Sequence, residues 1–377
     1  MTSYPFQAAD PMDFPPELAR LQAEEPISRV RLLTGEDAWL LTRNSDIRAL
    51  LTDSRFLPWT PGMPPPGSGD GAMSGFLFTM AGAEHARVRR IAGAALTPRR
   101  IEHLRPQVSE LGRDLVGKLL AANGPFDVLA DFAVPFARGV LADLLGFPAA
   151  ERQVFADLVD DMLGVFTAAD PNAMAEAGTQ LSQHIGGLIA AKRAEPGEDL
   201  LSALIDATDA EHGRLTEQEL FNLAFSIVLA GYVPPANALA LAVLQLLRTG
   251  TGLAEVRRDT VADLVEELLK ADQSSATDQS RVALEDVEMG GVLVRAGEFV
   301  VAPLRAANRD ADARSHVTFG HGPHHCLGAA LARVQLQEGL LALAEPGGLR
   351  LAVPYEEIAW RTMFLTLRSP EAIPVTW

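Results

Sequence analysis

The only cysteine of the chain, Cys326, stands in the run Phe319-Gly-His-Gly-Pro-His-His-Cys326-Leu-Gly-Ala-Ala-Leu-Ala-Arg333. Glycines and a proline make a tight turn, and an alanine-rich helix is predicted to start near Leu327. A thiolate at a helix N-terminus is stabilised by the positive end of the helix dipole and by free backbone N–H groups. Gly328, Ala329, Ala330 and Ala332 are small enough for a large flat ligand to lie close to that helix. Those are the needs of a thiolate that ligates a haem iron. Two other readings use the same residues. One is a buried structural cysteine beside solvent-facing histidines. The other is a mononuclear metal site built from His321, His324, His325 and Cys326, although adjacent histidines point apart on most backbones. Spacing alone does not separate the three.

The elements that must position this cysteine are mostly helical. A short helix is predicted from 46 to 51. Thr97 is an N-cap with Pro98 at the first helical position, opening a helix over 99–120. Alanine- and leucine-rich helices follow from about 137 to 205, broken at Phe147-Pro148, Asp170-Pro171 and Pro196-Gly197. Thr216-Glu217-Gln218-Glu219 is a capping box, and Leu215 with Leu220 forms its hydrophobic staple. The helix it opens runs to Arg248, roughly 48 Å at the helical rise. Strand signals are few: 38–41, a hairpin pairing 287–289 with 292–294 across Gly290-Gly291, and 299–301. The fold class is therefore mostly α, a large helical body with a small β-rich part. Residues 57–75, rich in proline and glycine, are irregular, which marks a functional lid or a disordered stretch.

Composition sets the outer bounds. The chain has 377 residues, 48% of them hydrophobic and 21% charged, which excludes global disorder. One cysteine excludes a disulfide framework and any multi-cysteine zinc or iron–sulfur site. The net charge of −17 argues against nucleic acid and anionic membrane as partners. The N-terminal 18 residues hold four prolines and no basic segment before an apolar run, so neither a signal peptide nor a membrane anchor is expected. A cytoplasmic location is expected. The apolar stretch 220–247 carries Asn222, Ser226, Asn237 and Gln245, and reads as a buried helix rather than a membrane span.

The cysteine run resembles the cysteine-ligand loop of the cytochrome P450 family, of the soluble bacterial type. The resemblance extends over nearly the whole chain. Glu84-His85-Ala86-Arg87-Val88-Arg89-Arg90 with Leu96-Thr97-Pro98-Arg99-Arg100 is similar to the family's helix over the haem. Leu229-Ala230-Gly231 falls in the family's oxygen-binding groove. Arg281-Val-Ala-Leu-Glu-Asp-Val-Glu-Met-Gly-Gly, Ala306-Ala307-Asn308-Arg309-Asp310 and the ending Ile373-Pro374-Val375-Thr376-Trp377 also match. The resemblance implies a P450-like fold and a single haem-thiolate domain over 1–377. It implies haem b as cofactor, with Cys326 as the axial thiolate and Phe319 beside it. His85, Arg89, Arg281 and His324 fall where the family holds the haem propionates, and buried carboxylates do need such partners. Residues 57–75 correspond to the substrate lid, with Met73, Phe76 and Phe78 as pocket walls, and 362–367 to a turn that reaches the pocket.

Three departures qualify the resemblance. After Ala-Gly and one variable residue, the family places an acid and then a threonine, which carry protons for oxygen activation. Here the segment reads Ala230-Gly231-Tyr232-Val233-Pro234-Pro235, and neither Val233 nor Pro234 can donate a proton. Glu267 is followed three residues later by Lys270, where the family has an arginine in a buried ion-pair network; lysine lacks the planar fork. Only eight residues lie between Asp310 and Phe319, where the family has a longer meander and another arginine. Arg309 and Arg314 are the candidate substitutes.

The expected function is a haem-thiolate oxidoreductase acting on a small or mid-sized organic molecule in bacterial specialised metabolism, with a ferredoxin and ferredoxin reductase as the electron source. Its protons come from substrate, ordered water or Tyr232. One alternative is haem chemistry without reductive oxygen activation: peroxide-driven oxidation, rearrangement, cyclisation or dehydration. The other is an inert auxiliary partner of another enzyme.

Overall fold

The computed structural model describes residues 2–63, 75–168, 171–209, 215–250, 252–271, 278–363 and 367–377. The helices are α1 (Pro16–Glu24), α2 (Asn44–Thr52), α3 (Gly82–Ala95), α4 (Pro98–Ala122), α5 (Val134–Leu145), α6 (Arg152–Ala168), α7 (Pro171–Ala194), α8 (Leu200–Asp209), α9 (Glu217–Arg248), α10 (Val261–Ala271), α11 (Leu304–Arg309) and α12 (Ala329–Ala344). The strands that matter below are β1 (Thr2–Tyr4), β2 (Ile27–Leu32), β3 (Asp37–Leu41), β4 (Phe56–Pro58), β5 (Phe126–Asp127), β6 (Gln279–Ala283), β7 (Val287–Met289), β8 (Val292–Val294) and β9 (Phe299–Ala302). Two compact units result. One comprises Met1–Ala86, Asp263–Leu327 and Leu365–Ser369; the other comprises Arg87–Ala262, Gly328–Phe364 and Pro370–Trp377.

The first unit is built on a six-stranded sheet in the order β1-β2-β3-β9-β6-β4. β3 and β9 run parallel, with Trp39 opposite Val300, and β6 runs antiparallel to β9, with Arg281 opposite Val300. Ile47, Leu50 and Leu51 of α2 join Leu41, Phe56, Val300, Leu304 and Val317 in one buried cluster, so α2 and the approach to the cysteine share a core. The predicted hairpin forms, with Met289 paired to Val292 across Gly290 and Gly291. Both glycines have positive φ, as a two-residue hairpin turn requires.

Of the sequence-predicted lid, residues 64–74, including Met73, lie outside the described residues, as do 364–366 of the C-terminal turn. Phe76 is buried and stacks on Phe78 at 5.6 Å, while Phe78 is exposed.

The second unit is helical. Thr97 caps α4 by accepting from the Arg100 N–H, and Thr216 and Glu219 exchange both bonds of the capping box that starts α9. α9 is apolar and long enough to cross a membrane, yet most of it is buried among other helices, as a core helix is. It continues through Pro234 and Pro235. α12 passes close to it: a Cβ on Gly339 would lie 2.7 Å from Leu239 Cδ2. Next to that crossing, the fully buried Glu338 accepts hydrogen bonds from Arg105 at 2.8 Å and from Arg258. Burial pushes its carboxyl up, and the bonds from Arg258, Arg105 and Ser109 pull it down further, to below the usual carboxylate range.

A depressed carboxyl pKa contributes stability that is present above the unfolded value, about 4.3, and lost as pH falls through the folded value. Glu338→Gln is therefore expected to lower stability by about 1–3 kcal/mol at neutral pH. It is also expected to flatten the acid side of the melting-temperature profile. Thermal melts of both proteins from neutral to acid pH check this; parallel profiles would contradict it.

Candidate active site

The cysteine loop is a sequence of tight turns. The Gly320 N–H donates to Val317 O at 2.7 Å, His325 N–H to Gly322 O at 3.0 Å, and Cys326 N–H to Phe319 O at 2.7 Å. Gly322 has φ +71°, and a Cβ there would lie 2.7 Å from the Leu51 carbonyl oxygen and 2.9 Å from Thr52 Cγ2. Backbone on α2 cannot move aside cheaply, so the loop needs glycine at this point. Cys326 is exposed and takes part in no disulfide. Gly328 is the N-cap of α12, so the sulfur belongs to the residue three places before the first helical one.

The loop histidines do not gather around the cysteine. His321 Nδ1 lies 3.1 Å from Arg48 Nη1, and burial followed by that charge pushes the imidazole down, towards the neutral form. His324 stacks on His85 at 4.0 Å. His325 is exposed. Among the described residues no three His, Cys, Asp or Glu side chains are placed to hold a metal ion. The mononuclear metal reading is corrected on this ground: the turn splays the imidazoles, and each takes a different neighbour.

Arg281, on β6, is 4% exposed. Its guanidinium donates to Ser280 O at 2.8 Å and more weakly to Gln279 Oε1, and no carboxylate among the described residues pairs with it. Burial alone pushes it down to about 10. A buried cation with only neutral acceptors is costly until an anion joins it. Arg89 is half-buried one helical turn beyond His85 on α3.

No family model matches the chain. It is 39% identical, over 399 aligned positions, to nocardicin C N-oxygenase of Nocardia uniformis subsp. tsuyamanensis, covering 100% of this chain and 98% of that protein. It is 38% identical, over 395 positions, to mycinamicin IV hydroxylase/epoxidase of Micromonospora griseorubida, with the same coverage. Among solved structures, the mixed-function P450 MycG superposes with a TM-score of 0.89 at 37% identity, over 100% of this chain and 99% of that one. The chain belongs to the cytochrome P450 family. The ligand-free form of wild-type CYP105P1 agrees, with a TM-score of 0.88 at 32% identity and the same coverage. The fold class expected from sequence is thereby established, and the protein is a P450-type oxidoreductase.

Family membership implies a haem-thiolate iron, and the residues present fit one. The Cys326 thiol is exposed, the stacked imidazoles are donors, and Arg281 lacks the anion that a haem propionate would bring.

The α9 segment is laid out on two faces. Ala230 is exposed, and Ile227, Gly231, Pro234, Pro235 and Ala238 are half-buried, forming one open stripe on a buried helix. No side chain of that stripe carries a proton donor. Val233 is half-buried beside it. Tyr232 is on the other side, buried, and its hydroxyl donates to Asp160 Oδ1 at 2.5 Å. Burial first, and Asp160 next, push that hydroxyl far above its ordinary value.

Glu267 and Lys270 are both exposed, and neither makes an ion pair among the described residues. Arg309 instead lies over the Phe14 ring, and Arg314 is exposed. The acid and base that do meet are Glu266 and His316, at 2.9 Å. Sequence reading passed over both residues; the adjacency of Glu266 to Glu267 was the available signal.

Arg281→Leu is expected to stabilise the haem-free protein by about 1–4 kcal/mol, the range seen when buried ionic groups are replaced by well-packed apolar residues. The same change is expected to weaken haem retention. Melting of haem-free protein and haem loss to an acceptor protein measure the two effects; a destabilised haem-free variant would contradict the charge argument.

Proposed function

We propose that this P450 is a haem-thiolate monooxygenase of bacterial specialised metabolism that oxidises a small or mid-sized organic molecule and draws its protons from substrate or ordered water. The whole chain, 1–377, acts as one haem-thiolate domain in the cytoplasm, supplied with electrons by a ferredoxin and its reductase. The names of the relatives, which refer to nocardicin C and mycinamicin IV, support the substrate class.

When bound, haem supplies the oxidation of substrate by dioxygen. Cys326 is its thiolate ligand, with Phe319 as the aromatic residue of the loop. Arg281, Arg89, His85 and His324 hold the propionates. Gly328 and the alanines after it leave room for a flat group.

The observation that carries the proton assignment is the open stripe of α9. Val233 and Pro234 stand where an acid and an alcohol would relay protons, and neither can do so. The Tyr232 hydroxyl is committed to Asp160. Pro234 and Pro235 have no N–H, so the carbonyls of Ala230 and Gly231 lack their helical donors. Those two oxygens are acceptors for a substrate hydroxyl or a water on the same face.

A matched pair of substrates, one with a hydroxyl near the oxidised carbon and one with its methyl ether, tests this. Product per NADPH is expected to fall several-fold for the ether, with the balance released as peroxide. One-to-one coupling with the ether would contradict the assignment. The same apolar stripe favours a second reading, oxidation driven by hydrogen peroxide. Product formed from peroxide at a comparable rate, with no electron donor, would favour that reading instead.

A further inference from the structure

We infer that His316 and Arg48 are positioning residues for the thiolate loop, and that their ties to Glu266, Ser315 and His321 do the work a Glu267–Lys270 pair does not. This rests on the haem-thiolate reading of Cys326.

The eight residues between Asp310 and Phe319 are gripped from two sides. On the α10 side, His316 Nε2 lies 2.9 Å from Glu266 Oε2, and the Thr318 N–H donates to His316 Nδ1 at 3.3 Å. A ring nitrogen that accepts from a backbone N–H carries no proton, so Nε2 is the protonated one and donates to the carboxylate. One imidazole therefore links helix α10 to the backbone one residue before Phe319. Thr318 adds a second link: its hydroxyl donates to Leu269 O and accepts from Asn308 Nδ2, both at 2.8 Å. The Val317 N–H donates to Asn308 Oδ1 at 2.6 Å.

On the α2 side, Arg48 Nη2 donates to Ser315 O and Oγ, each at 3.0 Å, and Nη1 lies 3.1 Å from His321 Nδ1. The guanidinium is itself held by Asn44 Oδ1 at 2.8 Å. Asn44 is buried, and is fixed to Ala307 O and to Asp310 Oδ2. Arg48 thus reaches residues before and after Phe319, whose carbonyl receives the Cys326 N–H. A planar fork with several donors can bridge two chain segments in this way, where a lysine cannot.

These ties converge on the segment that fixes the sulfur. Glu267 and Lys270, one residue and one turn away, point to solvent and hold nothing among the described residues.

The test uses the holoprotein and the absorption spectrum of its reduced carbon monoxide complex, which reports whether the thiolate is still the ligand. His316→Ala, Glu266→Ala and Arg48→Met are expected to move the band from the thiolate position to that of a neutral ligand. Glu266→Gln is expected to keep it, because the amide oxygen accepts the same hydrogen bond. Glu267→Ala with Lys270→Ala is expected to keep it as well. Retention of the thiolate band in His316→Ala and Glu266→Ala, or its loss in the Glu267/Lys270 variant, would overturn the inference. Where His316→Ala does not fold, the Glu266 pair decides, and equal spectra of the Gln and Ala variants would overturn it. A wild-type protein that binds haem without a thiolate band would fail earlier, at the reading of Cys326 itself.

Discussion

The sulfur of one cysteine has to be held still at the end of a loop, and the backbone bond from Cys326 N–H to Phe319 O is what closes that loop. The closure depends on Gly322, which passes so close to the carbonyl of Leu51 that no side chain fits. It therefore depends on α2, whose buried face of Ile47, Leu50 and Leu51 belongs to the same core as Val317. The sheet, α2, α10 and α11 together form the anvil on which the loop is bent. They reach the loop through packed backbone at Gly322 and through the Arg48 and His316 side chains.

Electrostatics follows the same division of labour. Where charges serve the fold, they are paired inside it: Glu338 takes two arginines, and Glu219 takes Arg87 and the Thr216 cap. Arg281, proposed as a propionate partner, is instead left with neutral acceptors. The open face of α9 carries no side-chain proton donor, which is the ground for the proposed proton source.

Much of this was legible in the sequence because local physics and the tertiary fold agree. The Thr97 and Thr216 caps, the proline breaks between α5 and α8, and the Gly290-Gly291 hairpin all form where residue types demanded them. The cysteine loop was legible as chemistry, and its resemblance to the P450 family carried the fold. Other features depended on partners distant in the chain. β2 reads Ile-Ser-Arg-Val-Arg-Leu, a short alternating run, and it becomes a strand by pairing with β1 and β3. Glu267 and Lys270 stand one turn apart on α10, and no local pattern there announces that both are exposed. The contact between Glu266 and His316 is visible only once the short bridge has been folded back onto the helix.

The most direct measurement is the absorption spectrum of the purified holoprotein, reduced under carbon monoxide, beside that of Cys326→Ala. Thiolate ligation by this residue predicts the thiolate-type band in the wild type and its absence from the variant, with haem still bound by the remaining contacts. A wild-type spectrum of the neutral-ligand type, or a Cys326→Ala protein that keeps the thiolate band, would contradict it.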